Sequence, residues 1–152
     1  MEISKDFREF LKLLNKNNVK YLIVGGYALA FHGYPRYTKD IDIWVLVNHD
    51  NAENIIKALS DFGFSALKLK KDDFLNPGYV IQLGYPPHRI DILTSVTGLN
   101  FEDCYLTKIE VDIDGLKVSF IDLENFKRNK KAVGRFQDLA DLENLEEHGV
   151  EN

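Results

Sequence analysis

Residues 21–45 read YLIVGGYALAFHGYPRYTKDIDIWV. Tyr21 to Val24 is a short apolar run, partly β-branched, halted by Gly25 and Gly26; a run of that kind bounded by turn formers reads as a strand. Tyr27 to His32 suits a helix that Gly33 and Pro35 end, because neither residue continues a helical backbone. Ile41, Ile43 and Val45 then alternate with Asp42 and Trp44, the period-two pattern of a strand with two unlike faces. Strand, tight glycine turn, helix, strand: the order predicts an α/β (α+β) fold built on a mixed central sheet with flanking helices.

The flanking sequence extends this frame. Phe7, Phe10, Leu11 and Leu14 fall on one helical face, with Ser4 placed to cap it and Asn17 and Asn18 to stop it. Asp50, with Glu53 three residues on, resembles a capping box that opens a helix to about Phe62, closed by Gly63. Three further strands are expected over Phe64 to Leu69, Tyr79 to Leu83 and Arg89 to Leu93, separated by Asn76-Pro77-Gly78 and Pro86-Pro87. Asp114-Gly115 between Ile109/Val111/Ile113 and Leu116/Val118/Phe120 is a strong hairpin signal. Leu123 to His148 reads as two helices broken near Gly134. One domain over 1–152 is expected, with a core to about 120 and C-terminal helices over about 122–148 that close it.

Composition bounds the partners. The chain has 152 residues, 45% hydrophobic and 28% charged, close to the average of globular proteins, so disorder and fibrous structure are excluded. A net charge of −5 and a pI near 5.4 repel polyanions overall, so duplex DNA is not an expected partner and any nucleic-acid contact must be local. No apolar run approaches the ~18 residues that span a bilayer, and the N-terminus lacks a signal-type apolar stretch; no membrane is expected, and the cytoplasm is. The single Cys104 cannot form an internal disulfide and reads as a packed thiol. His32, His49, His88 and His148 show no zinc-ligand spacing.

The chemistry sits in Thr38-Lys39-Asp40-Ile41-Asp42-Ile43. Side chains two apart on a strand share a face, so Asp40 and Asp42 project together. Two like charges this close are tolerated when water or a cation neutralises them. Mg²⁺, with Mn²⁺ as an alternative, suits a few carboxylates completed by waters and substrate phosphates. Asp91, in His88-Arg89-Ile90-Asp91-Ile92-Leu93, supplies a third carboxylate on an apolar strand and could complete a two-ion clamp for in-line displacement at phosphorus; it could also orient or deprotonate the attacking hydroxyl. At Gly25-Gly26 the missing side chains let a phosphate approach the backbone. Arg36 and Thr38 could add a guanidinium fork and a hydroxyl to the same oxygens. His88 and Arg89 lie close enough to Asp91 to line the acceptor side. Gly-Gly alone is usually a turn and Asp-x-Asp alone a solvated strand face; their joint order with a later strand Asp is far more specific.

At these residues the chain resembles the nucleotidyltransferase superfamily related to DNA polymerase beta, whose signature is an apolar strand, Gly-Gly or Gly-Ser, Asp-x-Asp and a third Asp. GGYALAFHGYPRYTKDID, from Gly25 to Asp42, is similar to the branch that includes lincosamide and aminoglycoside nucleotidyltransferases and AbiEii-like toxins. The resemblance implies transfer of a nucleoside monophosphate from a triphosphate to a hydroxyl, in a toxin–antitoxin or resistance system. LENFKRNKKAVGRFQDLADLENL also resembles this branch; the resemblance implies that Lys130 reaches the nucleotide phosphates, while Arg135 and Asp138 pair to fix the helices. Gly26 stands where many relatives have Ser, so backbone N–H groups must do more of the phosphate binding. Antibiotic-modifying relatives often carry an added helical domain or form dimers, so a homodimer or a cognate partner protein that completes the acceptor pocket is an expectation. The acceptor is left open between a small molecule, a protein side chain and RNA. The basic residues Lys127, Arg128, Lys130, Lys131 and Arg135 lean toward RNA or a phosphate-rich partner. Two rival readings stay in view: an antitoxin-like regulator that binds nucleotide or a partner without turnover, and an interaction module whose Asp residues are surface charges.

Overall fold

The computed structural model describes residues 2–34, 39–85 and 88–148. Helix α1 (Lys5–Lys16) starts where the Ser4 hydroxyl accepts the Phe7 N–H at 3.2 Å, one of the donors a helix start leaves unpaired. Its apolar stripe, Phe7, Phe10, Leu11 and Leu14, is buried, and truncating such a Phe to Ala typically costs about 3–5 kcal/mol. Strand β1 (Tyr21–Val24) follows, buried along its whole length, then α2 (Gly25–Phe31), β2 (Ile41–Val45) and α3 (His49–Phe62). After α3 come β3 (Val80–Leu83), β4 (Ile90–Leu93), α4 (Phe101–Leu106), β5 (Ile109–Ile113), β6 (Leu116–Phe120), α5 (Leu123–Val133) and α6 (Phe136–His148).

The six strands form one mixed sheet in the order β3-β4-β2-β1-β6-β5, as the expected fold class requires. β2 runs antiparallel to β1 and parallel to β4. This register sets Val24 opposite Asp42 and Asp42 opposite Asp91. Gln82 of β3 stands opposite Asp91 in turn, so the row Val24, Asp42, Asp91, Gln82 crosses four strands on one face. Further along that face Trp44 is buried edge-on against Phe101 of α4 at 5.1 Å. Apolar cover therefore seals the Trp44 end of β2 while Asp42 keeps partial contact with solvent. The opposite β2 face, Ile41, Ile43 and Val45, belongs to the core shared with α1 and α3.

Three local expectations are corrected. Residues 64–69 do not form a strand: Ser65–Leu67 and Lys71–Phe74 are 3₁₀ turns, with Lys68 left-handed at φ 55°, Phe74 buried, and Phe64 and Leu69 packed against the core. The cap of α3 is Asn48, whose side chain accepts the Asn51 N–H at 2.7 Å, and not Asp50. Helix α4, capped by Asn100, occupies a stretch for which no element is expected. The hairpin stands as read, with Asp114 and Gly115 at φ 51° and 85°, the pair of positive values a type I′ turn demands.

Contacts at the end of α2 and from α5 tie the segments around the sheet together. The His32 ring meets the Ile121 carbonyl at 2.7 Å, Phe31 stacks on Phe120 at 4.4 Å, and the Asn129 amide donates to the Thr97 carbonyl at 3.0 Å in the loop after β4. Among the described residues no helix is long and apolar enough to cross a membrane.

Candidate active site

Each acidic residue is placed by a different strand constraint. Asp40 immediately precedes β2, held there because Ile41 donates its N–H to the Arg89 carbonyl at 3.1 Å and Arg89 returns its own N–H to the Asp40 carboxylate at 3.3 Å. Asp42 and Asp91 face each other across the β2–β4 ladder, and their carboxyls lie within hydrogen-bonding reach of one another. The Arg89 guanidinium then ties the third corner: Nε to Asp91 Oδ1 at 2.7 Å, Nη2 to Asp91 Oδ2 at 3.0 Å, and Nη2 to Asp40 Oδ2 at 3.1 Å. The three carboxylates expected from the sequence thus converge, with a guanidinium among them.

Gly25 is part of the same structure. Its φ of +68° is left-handed, and a Cβ there would overlap the Asp42 carboxylate. Only glycine allows the β1–α2 turn to pass this close to an acidic side chain. Gly26 follows as the second residue of α2. Of the remaining nucleotide-binding candidates, Arg36 and Thr38 lie outside the described residues.

Burial first, then the charges of Asp91 and Asp40, push the Asp42 carboxyl from its ordinary 3.8 up to about 7, against an opposing pull from Arg89. Such a group is a poorly satisfied anion that a cation would relieve. As the side chains stand, no three His, Cys, Asp or Glu residues among those described are arranged to hold a metal ion; Arg89 contacts oxygens of Asp40 and Asp91. The donor set nonetheless fits a hard divalent ion in kind: carboxylate oxygens only, on adjacent strand ends, one of them held in an unfavourable buried charge state.

Lys130 stands in a different environment from the one the resemblance implies. Its ammonium is 10% exposed and ion-pairs with Asp138 at 3.2 Å and Asp141 at 3.1 Å, and both of these carboxylates are buried. Arg135 adds Nε to Asp138 at 2.8 Å, the expected pairing. The hydrogen bond from Arg135, and then that from Lys130, bring Asp138 down to about 2. The cluster locks α5 to α6, and Lys130 would have to leave two carboxylates to reach a phosphate. Burial, and not any charged neighbour, is the main reason Cys104 is raised to about 11, in keeping with a packed thiol.

Two residues beside the trio have no role at the acidic site that the sequence alone indicates. The sequence places Arg89 on the acceptor side, and nothing in the spacing indicates that its side chain folds back onto Asp40 and Asp91. Gln82 gains its place next to Asp91 only through the register of β3 on β4.

A mixed sheet thus carries three neighbouring carboxylates on adjacent strand ends, beside a glycine turn into a helix. The chain is similar in fold to nucleotidyltransferases of known structure, and part of it matches a family model. Residues 6–77, slightly less than half the chain, match the family model described as aminoglycoside-2''-adenylyltransferase. No curated protein matches in sequence. In fold the chain is similar to a protein of Thermotoga maritima described as a nucleotidyltransferase (TM-score 0.61, 16% identity, 93% of this chain and 90% of that one). It is also similar to an antigenic nucleotidyltransferase-like protein of Paracoccidioides brasiliensis (0.52, 19%, 94% and 75%) and to the lincosamide antibiotic adenylyltransferase LnuA in its lincomycin-bound form (0.51, 17%, 95% and 96%).

Proposed function

We propose that this chain moves a nucleoside monophosphate from a Mg²⁺-bound nucleoside triphosphate to a hydroxyl acceptor and releases pyrophosphate, with Asp40, Asp42 and Asp91 as the metal-holding residues. The observation that carries this reading is the meeting of three carboxylates from separate parts of the chain, joined by the β2–β4 register and by Arg89. A divalent ion bound there would neutralise charge on the transferring phosphoryl group and on the attacking oxygen. Mn²⁺ would serve the same oxygen donors.

The residues divide the work. Asp42, buried beside Gly25, is the carboxylate with most to gain from a cation. Asp91, nearest Gln82, orients the acceptor hydroxyl and takes its proton as oxygen attacks the α-phosphorus and the bond to the leaving pyrophosphate breaks. Gly25 and Gly26 offer backbone N–H groups to the triphosphate, with Arg36 and Thr38 as further phosphate contacts in the same reading, and Lys130 as one only on leaving Asp138 and Asp141. The whole chain acts as one domain, its C-terminal helices closing the core. The fold shared with a lincosamide adenylyltransferase and the match to an aminoglycoside adenylyltransferase family favour a small hydroxyl-bearing acceptor over RNA or protein.

The test is incubation with each α-labelled triphosphate, a divalent ion, and a panel of lincosamides, aminoglycosides, total RNA and protein. Label should move to one acceptor class with stoichiometric pyrophosphate, and Asp42→Asn should abolish it. Label transfer that persists in the Asp42→Asn variant at the wild-type rate contradicts the assignment.

A further inference from the structure

We propose that Arg89 is the resident counter-cation of the acidic site, and that a divalent ion enters by displacing its guanidinium. This inference rests on the metal-site reading above and adds to it a competitor supplied by the chain itself.

The geometry argues for displacement over coexistence. Arg89 makes a two-pronged contact with Asp91, at 2.7 and 3.0 Å, and reaches Asp40 at 3.1 Å. Fork-shaped contacts of this kind use the carboxylate lone pairs most directly available to a cation. A metal ion that draws on Asp40 and Asp91 together needs some of the same oxygens, and two positive groups at one site repel. Binding of the ion and seating of the guanidinium therefore oppose each other, and the opposition is reciprocal.

The same contacts explain how the site survives without metal. Asp40, Asp42 and Asp91 repel one another, and the guanidinium is the cation that holds two of them in place. The Arg89 side chain is 26% exposed, so its head has a route outward into water. Its backbone does not need to follow, because the Arg89 N–H to Asp40 and the Ile41 N–H to the Arg89 carbonyl keep the strands in register. Arg89 is thus a positioning residue that acts through the carboxylates.

Metal-free full-length chain, with no nucleotide present, is titrated with Mn²⁺ and free ion is followed by electron paramagnetic resonance. Arg89→Gln should bind Mn²⁺ at least about fivefold more tightly than wild type, the lower end of measured couplings between linked ligands. In chelator its thermal midpoint should fall, and Mn²⁺ should raise that midpoint by more than it raises the wild type's. Arg89→Lys, which keeps the charge but cannot make the fork, should shift affinity in the same direction by less, and serves if the Gln variant fails to fold. A merely structural arginine would weaken metal binding when removed. Equal or weaker Mn²⁺ binding by both variants, with wild-type binding intact and lost in Asp91→Asn, overturns the counter-cation and leaves the metal site standing. Absence of Mn²⁺ binding in every chain overturns both.

Discussion

Replacing Asp42 by Asn should make the metal-free protein more stable, and more so as pH rises. Burial and the charges of Asp91 and Asp40 raise this carboxyl from 3.8 to about 7. A carboxyl whose folded pKa lies above its unfolded value binds more protons in the folded state across that interval, so stability falls as pH climbs through it and stays low above it. A displacement of about three pH units corresponds to roughly 4 kcal/mol at ~1.4 kcal/mol per unit, and partial solvent contact lowers the expectation to about 2–4 kcal/mol. Asn keeps the shape and removes the charge. In urea denaturation with chelator near pH 8 the variant should therefore gain roughly 1–2 M in midpoint, taking an m-value of about 2 kcal/mol/M. Near pH 5 most of that advantage should vanish. Added Mg²⁺ should stabilise the wild type and not the variant. A variant less stable than wild type near pH 8, or a gap that ignores pH, refutes the electrostatic argument.

Gly25→Ala meets both a left-handed backbone and the Asp42 carboxylate; a loss of about 2–3 kcal/mol by thermal denaturation is expected from backbone strain and overlap, together with loss of transfer. Retention of wild-type stability and activity would contradict the packing described. Lys130→Met leaves Asp138 and Asp141 buried without their shared cation, so a loss of about 3 kcal/mol is expected at neutral pH, recovered in part by adding Asp141→Asn. Because Arg135 and Lys130 hold Asp138 at about 2, its contribution to stability is present above 3.8 and disappears as pH falls from 3.8 to about 2; an acid titration followed by near-ultraviolet circular dichroism should show that loss in wild type and a smaller one in Lys130→Met.

What the sequence disclosed depended on range. The β1 run, the Gly-Gly turn and the alternation of Ile41, Asp42 and Ile43 are local signals, and each appears where it was expected. Convergence of Asp91 with Asp42 is a matter of register between strands that lie 49 residues apart at Arg89 and Asp40, which spacing alone leaves open. Phe64 to Leu69 misleads because it holds few strand-favouring residues; Phe64 and Leu69 reach the core from turns instead, beside the buried Phe74. Asn48 displaced Asp50 as a cap because both are good acceptors and the backbone chose the earlier one. Arg89 is visible in the sequence near Asp91 but not folded onto it, since a two-residue spacing does not fix which way a long side chain turns. Lys130 belongs to a basic run that leans toward a phosphate-rich partner, and its burial depends on α6 carrying Asp138 and Asp141 back against it.

The most direct test of the acidic trio as a metal-dependent nucleotide site is calorimetric titration of each nucleoside triphosphate into the protein, with Mg²⁺ and with chelator. Heat of binding should appear only with the ion and should be lost in Asp91→Asn. Equal binding in chelator, or unimpaired metal-dependent binding by Asp91→Asn, would contradict it.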